Sequence, residues 1–344
     1  IDARRVLADD IGVRVNTTLA SPAPMVERLV HFWSNHFSVS VGKPGTQFEA
    51  GPHEFTAIRP HVLGRFSNML KAAVLHPAML IYLDQFQSIG PNAPFAQRRA
   101  LRGGDQQRPR GLNENLAREV LELHTLGVGG GYSQTDVTEL ARALTGWTVP
   151  GIGRVGRFAQ NQPSGAAFVA LVHEPGGRSV LGRSYPAGEA GQALAILDDL
   201  AAHPATARHI ATKFARHFAG DTPPPALVAR LEADFLRSGG DLASGTITAL
   251  QIDLNGVMLL RVADFSQTGS AEGAADDAGS AGGGAPAVWL HLEATTVVPL
   301  TCQRCLGPVH TALSVDRWFR FVADEATAAT EDDECEEDLL ALEP

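Results

Sequence analysis

Tyr132-Ser133-Gln134-Thr135-Asp136-Val137-Thr138-Glu139-Leu140-Ala141-Arg142-Ala143-Leu144-Thr145-Gly146 carries the local signals that decide the fold class. Ser133 has the short hydroxyl side chain that accepts a hydrogen bond from a free N–H of a first helical turn. Tyr132 and Val137 flank it at the spacing of a hydrophobic staple. Val137, Leu140, Ala141 and Leu144 recur three and four residues apart, which places them on one helical face. Gly146 then ends the run. A start, a buried face and a stop agree, and the segment is a helix.

The same signals recur on both sides. Helix 113–126 has Asn113 at its start and Gly127 where a left-handed residue would close it. Upstream, segment 21–38 has a Pro-rich start. Val26, Leu29, Val30, Trp33 and Phe37 then form one stripe, beside a polar stripe of Glu27, His31 and Asn35. A helix over about 61–75 runs up to His76-Pro77, and an apolar stretch, Met79–Leu83, follows. Residues 87–111, rich in Gly, Pro, Arg and Gln, are predicted to form an exposed loop. Residues 148–190 are Gly-rich with short β-like runs, an excursion from the helices. Helices return at 191–201, at 204–219 with Pro204 in the first turn, and at 224–238 before Gly239.

Charge divides the chain unevenly. Residues 244–344 hold four basic residues (Arg261, Arg304, Arg317, Arg320) and 17 acidic ones, a net of −13. The other 24 basic and 21 acidic residues leave 1–243 at +3. The last third therefore has no clustered cations with which to bind a phosphate backbone through bulk charge. No apolar run approaches the roughly 18 residues that span a bilayer. Three cysteines are too few for a disulfide framework.

The pattern changes after residue 243. Residues 266–286 are Gly/Ala/Ser-rich, the composition of a flexible linker. Val288, Leu290 and Leu292 then alternate as in a strand, and 312–322 alternates less strictly. Between them lies Cys302-Gln303-Arg304-Cys305-Leu306-Gly307-Pro308, a turn joining two strands. The end is acidic, with seven acids among the eight residues 331–338. The expected architecture is mainly α. An irregular helical domain (1–243) leads through a junction and linker (244–285) to a small antiparallel β piece with an acidic tail (286–344).

Five stretches of the first piece closely resemble a bacterial family catalogued only as domain of unknown function 1800. They are Glu-Arg-Leu-Val-His-Phe-Trp-Ser-Asn-His-Phe (27–37), His-Pro-Ala-Met-Leu-Ile-Tyr-Leu-Asp (76–84) and Leu-Asn-Glu-Asn-Leu-Ala-Arg-Glu-Val-Leu-Glu-Leu-His-Thr-Leu-Gly-Val (112–128), with Glu-Leu-Ala-Arg-Ala-Leu-Thr-Gly-Trp (139–147) and His-Pro-Ala-Thr-Ala-Arg-His-Ile-Ala (203–211). That resemblance implies no activity.

The second piece resembles the YceD family of large ribosomal RNA subunit accumulation proteins. Val-Trp-Leu-His-Leu-Glu-Ala (288–294), Val-Pro-Leu-Thr-Cys-Gln-Arg-Cys-Leu-Gly-Pro-Val (298–309), Arg-Phe-Val-Ala-Asp-Glu (320–325) and the acidic end through 338–344 carry it. The resemblance implies a non-enzymatic factor in 23S ribosomal RNA accumulation and large-subunit assembly, with ribosomal proteins or a pre-large-subunit particle as partners. It also implies a cytoplasmic location for this part. Both pieces look clipped relative to their families, and the expectation is a fusion of two truncated pieces. The alternative is an uncharacterised helical domain, enzyme or scaffold, carried by 1–243. Its parent protein is a candidate for export, although this chain shows no signal segment.

Cys302 and Cys305 have the spacing of half a zinc site, and His291, His310 and Cys335 are the nearby residues that would complete one. A reduced pair shaping a tight hairpin is the plainer alternative. A redox pair fits less well, because Gly307-Pro308 follows where a helix would lower a thiol pKa. No cofactor other than zinc is suggested. In the helical piece the polar residues near apolar faces, His36, Asn35, Glu119 and His124, are the catalytic candidates. Helical geometry puts Asn115, Glu119 and Glu122 on one face, Leu116, Val120 and Leu123 on a second, and His124 nearly opposite the carboxylates. No His-Glu-x-x-His arrangement, nucleophile motif or phosphate loop occurs.

Overall fold

A computed structural model describes residues 3–101, 111–243, 252–253, 258–266, 288–301, 308–324 and 338–343. Twelve α-helices occur among them: α1 Ala3–Ala20, α2 Pro24–His36, α3 Ala50–Pro52, α4 Phe66–Val74, α5 Pro77–Tyr82, α6 Pro94–Leu101, α7 Asn115–Glu119, α8 Gln134–Leu144, α9 Gly153–Gly156, α10 Glu189–Ala201, α11 Pro204–Ala219 and α12 Pro225–Ser238. The protein is mainly helical. It divides into two compact units, 1–213 with 239–241, and 214–238 with 242–344.

Helix α8 starts where its residues dictate. The Ser133 hydroxyl accepts from the Asp136 N–H at 3.2 Å, and the Asp136 carboxylate accepts from the Ser133 N–H at 2.7 Å, a reciprocal capping box. Val137, Leu140, Ala141 and Leu144 of α8 are buried. Asp136 does more than cap, since its second oxygen accepts the Leu181 N–H at 2.7 Å. Leu181 sits at φ +50, and this bond holds the turn between β3 (Arg178–Val180) and β4 (Arg183–Tyr185), which pair antiparallel.

The 148–190 excursion holds a second two-stranded antiparallel ladder, β1 (Trp147–Thr148) with β2 (Ala167–Phe168). It shares a small apolar cluster, including Val155, Val169 and Val172, with Ile89 and Ala93. That cluster corrects the reading of 87–111 as an exposed loop. Ile89 and Ala93 are buried, and α6 follows them directly. The Gly and Arg content of the stretch masked two core positions and one helix.

The main interior of the first unit includes buried residues of α2, α4, α5, α7, α8 and α10. Trp33, Phe37 and Phe66 lie there in mutual ring contact, with Trp33 and Phe66 centroids 5.5 Å apart. Residues 239–241 close this unit from a distance in sequence: Phe66 donates its backbone N–H to the Gly240 carbonyl at 2.8 Å, and Arg65 forms a bridge with Asp241. That bond satisfies one of the free N–H groups at the start of α4.

In the second unit, α12 buries Leu227, Leu231 and Phe235 from one face. Five strands pair in the order β5 (Ile252–Asp253), β6 (Met258–Ser266), β7 (Val288–Thr301), β8 (Pro308–Asp324) and β9 (Asp338–Glu343). All neighbours are antiparallel except β8 and β9. Most of the low-complexity stretch expected at 266–286, the segment holding Cys302 and Cys305, and most of the acidic run with Cys335 lie outside the described residues.

Candidate functional site

Two polar clusters lie within the first unit. The first is an open cleft of about 400 Å³ bordered by α1, α2 and the π-helical turn His53–Ile58. Its anchor is a chain of ion pairs. Glu27, buried on α2, accepts from the two terminal nitrogens of the Arg59 guanidinium, at 2.6 and 3.0 Å. Burial alone would raise the Glu27 carboxyl, but the hydrogen bonds and charge of Arg59 outweigh it and hold Glu27 below the usual range. Arg59 also reaches Glu54 at 3.5 Å, and Arg14 of α1 reaches the other Glu54 oxygen at 2.8 Å. Ser34 donates to that same oxygen at 3.0 Å. The polar stripe of α2 thus faces a neighbouring helix and turn, and Asn35 lines the cleft beside Ser34 and His31.

Two buried atoms of cleft-lining residues have no hydrogen-bond partner among the described residues: Asp10 Oδ2 and His53 Nε2. A third, Glu54 Oε1, has only the long contact to Arg59. His53 is 4% exposed, and burial pushes it down to about 4 against an opposing hydrogen bond to the Ala73 backbone. It is therefore neutral near pH 7. With its other nitrogen donating to Ala73, Nε2 presents a bare lone pair. Gly51 leaves room for Asp10, since a Cβ there would run into the carboxylate.

Hydroxyl groups at this site are already committed. Thr18 Oγ1 lies 3.2 Å from His31 Nε2, but it donates to the Arg14 carbonyl at 2.9 Å. Thr56 Oγ1 lies 3.2 Å from His76 Nε2 and donates to the Pro52 carbonyl at 2.7 Å. A hydroxyl has one proton, so in both pairs the histidine is the donor and the hydroxyl is not activated. Ser34 is bonded to a carboxylate, with no histidine between.

The second cluster gathers His36, His124 and His209. The helix α7 passes directly into a π turn, Val120–His124. That turn takes up one more residue than an α turn. It brings His124 inward beside Val120 and leaves Leu123 44% exposed, where α periodicity would bury it. Two carbonyls of its last turn are capped by distant histidines. His36 Nε2 donates to the His124 oxygen and His209 Nε2 to the Leu123 oxygen, both at 3.1 Å. His36 and His124 rings lie 6.1 Å apart, and His36 and His209 rings 6.2 Å apart. Burial drives His36 well below the ordinary range, helped by Lys213 and His124, and brings His124 down to about 3. Burial also lowers Lys213.

The structure brings two of the four catalytic candidates together, His36 with His124, at a buried helix end, and neither lines the cleft between α1 and α2. Asn35 lies in the cleft. Glu119 is half-buried, its carboxyl raised by burial and by Glu122, and no bond among the described residues links it to the other three. Sequence reasoning missed Asp10, His53 and Glu54, which share no local motif with α2. Among the described residues no three His, Cys, Asp or Glu side chains are placed to hold a metal ion, and Cys302 and Cys305 lie outside them. On β7 and β8, His291 pairs with Trp318 and His310 with Pro299. These two histidine positions are eight rungs apart along the β7–β8 ladder, about 26 Å at the rise of a strand.

The fold and its clusters define a helical protein with a polar cleft and without a nucleophile–base pair among the described residues. Residues 2–252 match the model of the family described as Protein of unknown function (DUF1800), and the chain belongs to that family. No curated protein and no solved structure matches it. The match stops short of 286–344, so the YceD resemblance gains nothing from it. No helix among the described residues is long and apolar enough to cross a membrane.

Proposed function

We propose that the helical piece, residues 1–243, carries the function, and that it binds a small polar ligand in the cleft between α1, α2 and the turn at 53–58. One observation carries this reading: buried atoms of Asp10 and His53, two residues lining the same cleft, lack a hydrogen-bond partner. Buried polar atoms are nearly always paired, and unpaired ones in a concave site suit a ligand that completes them. The committed hydroxyls favour binding over nucleophilic catalysis. His36 caps the π turn through Nε2, and Asn35 takes a place on the cleft wall.

The test is ligand-observed NMR on the full chain with a set of small amines, amides, sugars and carboxylic acids. Binding should fall in Asp10→Asn and in His53→Phe while the helical circular dichroism stays the same. Ligands that bind both variants as well as the parent, or no binding by any member of the set, would defeat the reading.

A second reading concerns 286–344. The strings at 288–294 and 298–309 and the acidic end support a role in 23S ribosomal RNA accumulation through large-subunit assembly, with ribosomal proteins as partners in the cytoplasm. Cys302 and Cys305 would there form half of a zinc site. Co-sedimentation with pre-50S particles, abolished by deleting 286–344, tests it. Failure of the intact chain to co-sediment removes it.

A further inference from the structure

Resting on the cleft reading above, we infer that the ligand presents a singly charged, N–H-rich cation, an ammonium or amidinium group, to Asp10, Glu54 and His53. The unpaired atoms of the residues that line the cleft are all acceptors, whereas the unpaired Nε of Arg59 lies outside the lining. Asp10 Oδ2 and Glu54 Oε1 are carboxylate oxygens, and His53 Nε2 is the lone-pair nitrogen of a neutral ring whose other nitrogen donates to Ala73. An anion would find no free donor among these three and would face two carboxylates.

Charge points the same way. Among the cleft-lining residues Asp10 and Glu54 are acidic and Arg14 is basic. Arg14 is bonded to Glu54 at 2.8 Å, so its charge is already matched. The excess is one negative charge, that of Asp10, and it lies on a carboxylate whose Oδ2 has no donor. A ligand with one positive charge balances it. The same cleft also has apolar lining from Leu7, Ile11, Val41 and Phe55. A cation carried on an apolar body therefore fits better than a compact polyamine, whose second charge would lack a counter-ion. His53 is independent of the carboxylates: it is buried, it belongs to a different side-chain class, and it too offers an acceptor.

The experiment uses three probes of one shape and different charge: phenethylammonium, 2-phenylethanol and 3-phenylpropionate. Each is titrated into the full-length protein at pH 7.5, with binding followed by calorimetry and chemical-shift perturbation. Phenethylammonium should bind at least about tenfold more tightly than the alcohol, and phenylpropionate more weakly than either. Asp10→Asn should remove most of the ammonium preference while leaving the alcohol unchanged. His53→Phe should weaken ammonium binding alone. Equal binding of all three probes, or preference for the carboxylate, overturns the cation assignment and leaves a binding cleft standing. Absence of binding by all three, in a chain whose melting curve is cooperative, overturns the cleft reading as well.

Discussion

His36 Nε2 donates to the backbone oxygen of His124 at 3.1 Å, joining the end of α2 to the end of a helix 88 residues away. The acceptor is a last-turn carbonyl that no intrahelical N–H can reach. Both rings are buried, so solvent cannot replace the bond. His36→Ala should cost about 2–4 kcal/mol, from the cavity and the stranded carbonyl together. The midpoint of urea unfolding measures this, and a loss below about 1 kcal/mol would mean the capping bond contributes little.

Acid should weaken the fold through its buried histidines. Burial holds His53 near 4, and His76 and His124 near 3. An unfolded histidine takes up its proton near 6.5. These groups therefore stabilise the fold fully above about pH 6.5, and the contribution declines as pH falls toward their folded values. Each adds a slope of about 1.4 kcal/mol per pH unit within that window. Urea midpoints should hold from pH 7.5 to about 6.5 and fall steadily from there to 4.5, and the slope should lessen in His53→Phe. A flat profile over that range contradicts the buried neutral state.

The ion pair between Glu27 and Arg59 predicts an asymmetry. Arg59→Met leaves a buried carboxylate without its partner and should cost about 3 kcal/mol. Adding Glu27→Gln to that variant should recover a large part of the loss. Denaturant melts of the two single variants and the double variant close the cycle. Additive losses would show that the pair is uncoupled, contrary to its two short bonds.

At the start of α8 the two capping residues should differ. Ser133→Ala removes one acceptor and should cost about 1 kcal/mol. Asp136→Ala removes the reciprocal bond and also the acceptor for the Leu181 N–H, so it should cost about twice as much. Thermal unfolding of the two variants side by side gives the comparison, and equal losses would deny Asp136 its second role.

Gly127, shortly after the π turn Val120–His124, sits at φ +86, and a Cβ there would meet His209 Nδ1 at 2.7 Å. Gly127→Ala should destabilise by about 1–3 kcal/mol through strain and displacement of His209. A variant as stable as the parent, with an unshifted His209 ring resonance, would refute the close approach.

Much of the helical frame was legible because its signals are local. Ser133, the Val137–Leu144 stripe and Gly146 specify α8 within fifteen residues, and Pro204 marks the first residue of α11. The first helix was not read. Its apolar residues Ile11, Val13, Val15 and Leu19 are all exposed and define no buried face. The π turn at Val120–His124 was equally hidden, since α periodicity assigns Leu123 inward and only the packed structure reverses it. The cleft was beyond local patterning altogether. Asp10, Ser34, Glu54 and Arg59 come from separate segments, and nothing near any of them marks the others as neighbours.

The bond from Phe66 to Gly240 sets a boundary for anyone dissecting this molecule. A fragment that stops after Lys213, where the longest uninterrupted part of the first unit ends, would discard the short segment that seals the start of α4. Chopping the gene there should give a frayed, protease-sensitive product, whereas a stop placed beyond Asp241 keeps the clasp. The smallest workable piece is thus defined by three residues that arrive after an intervening helix.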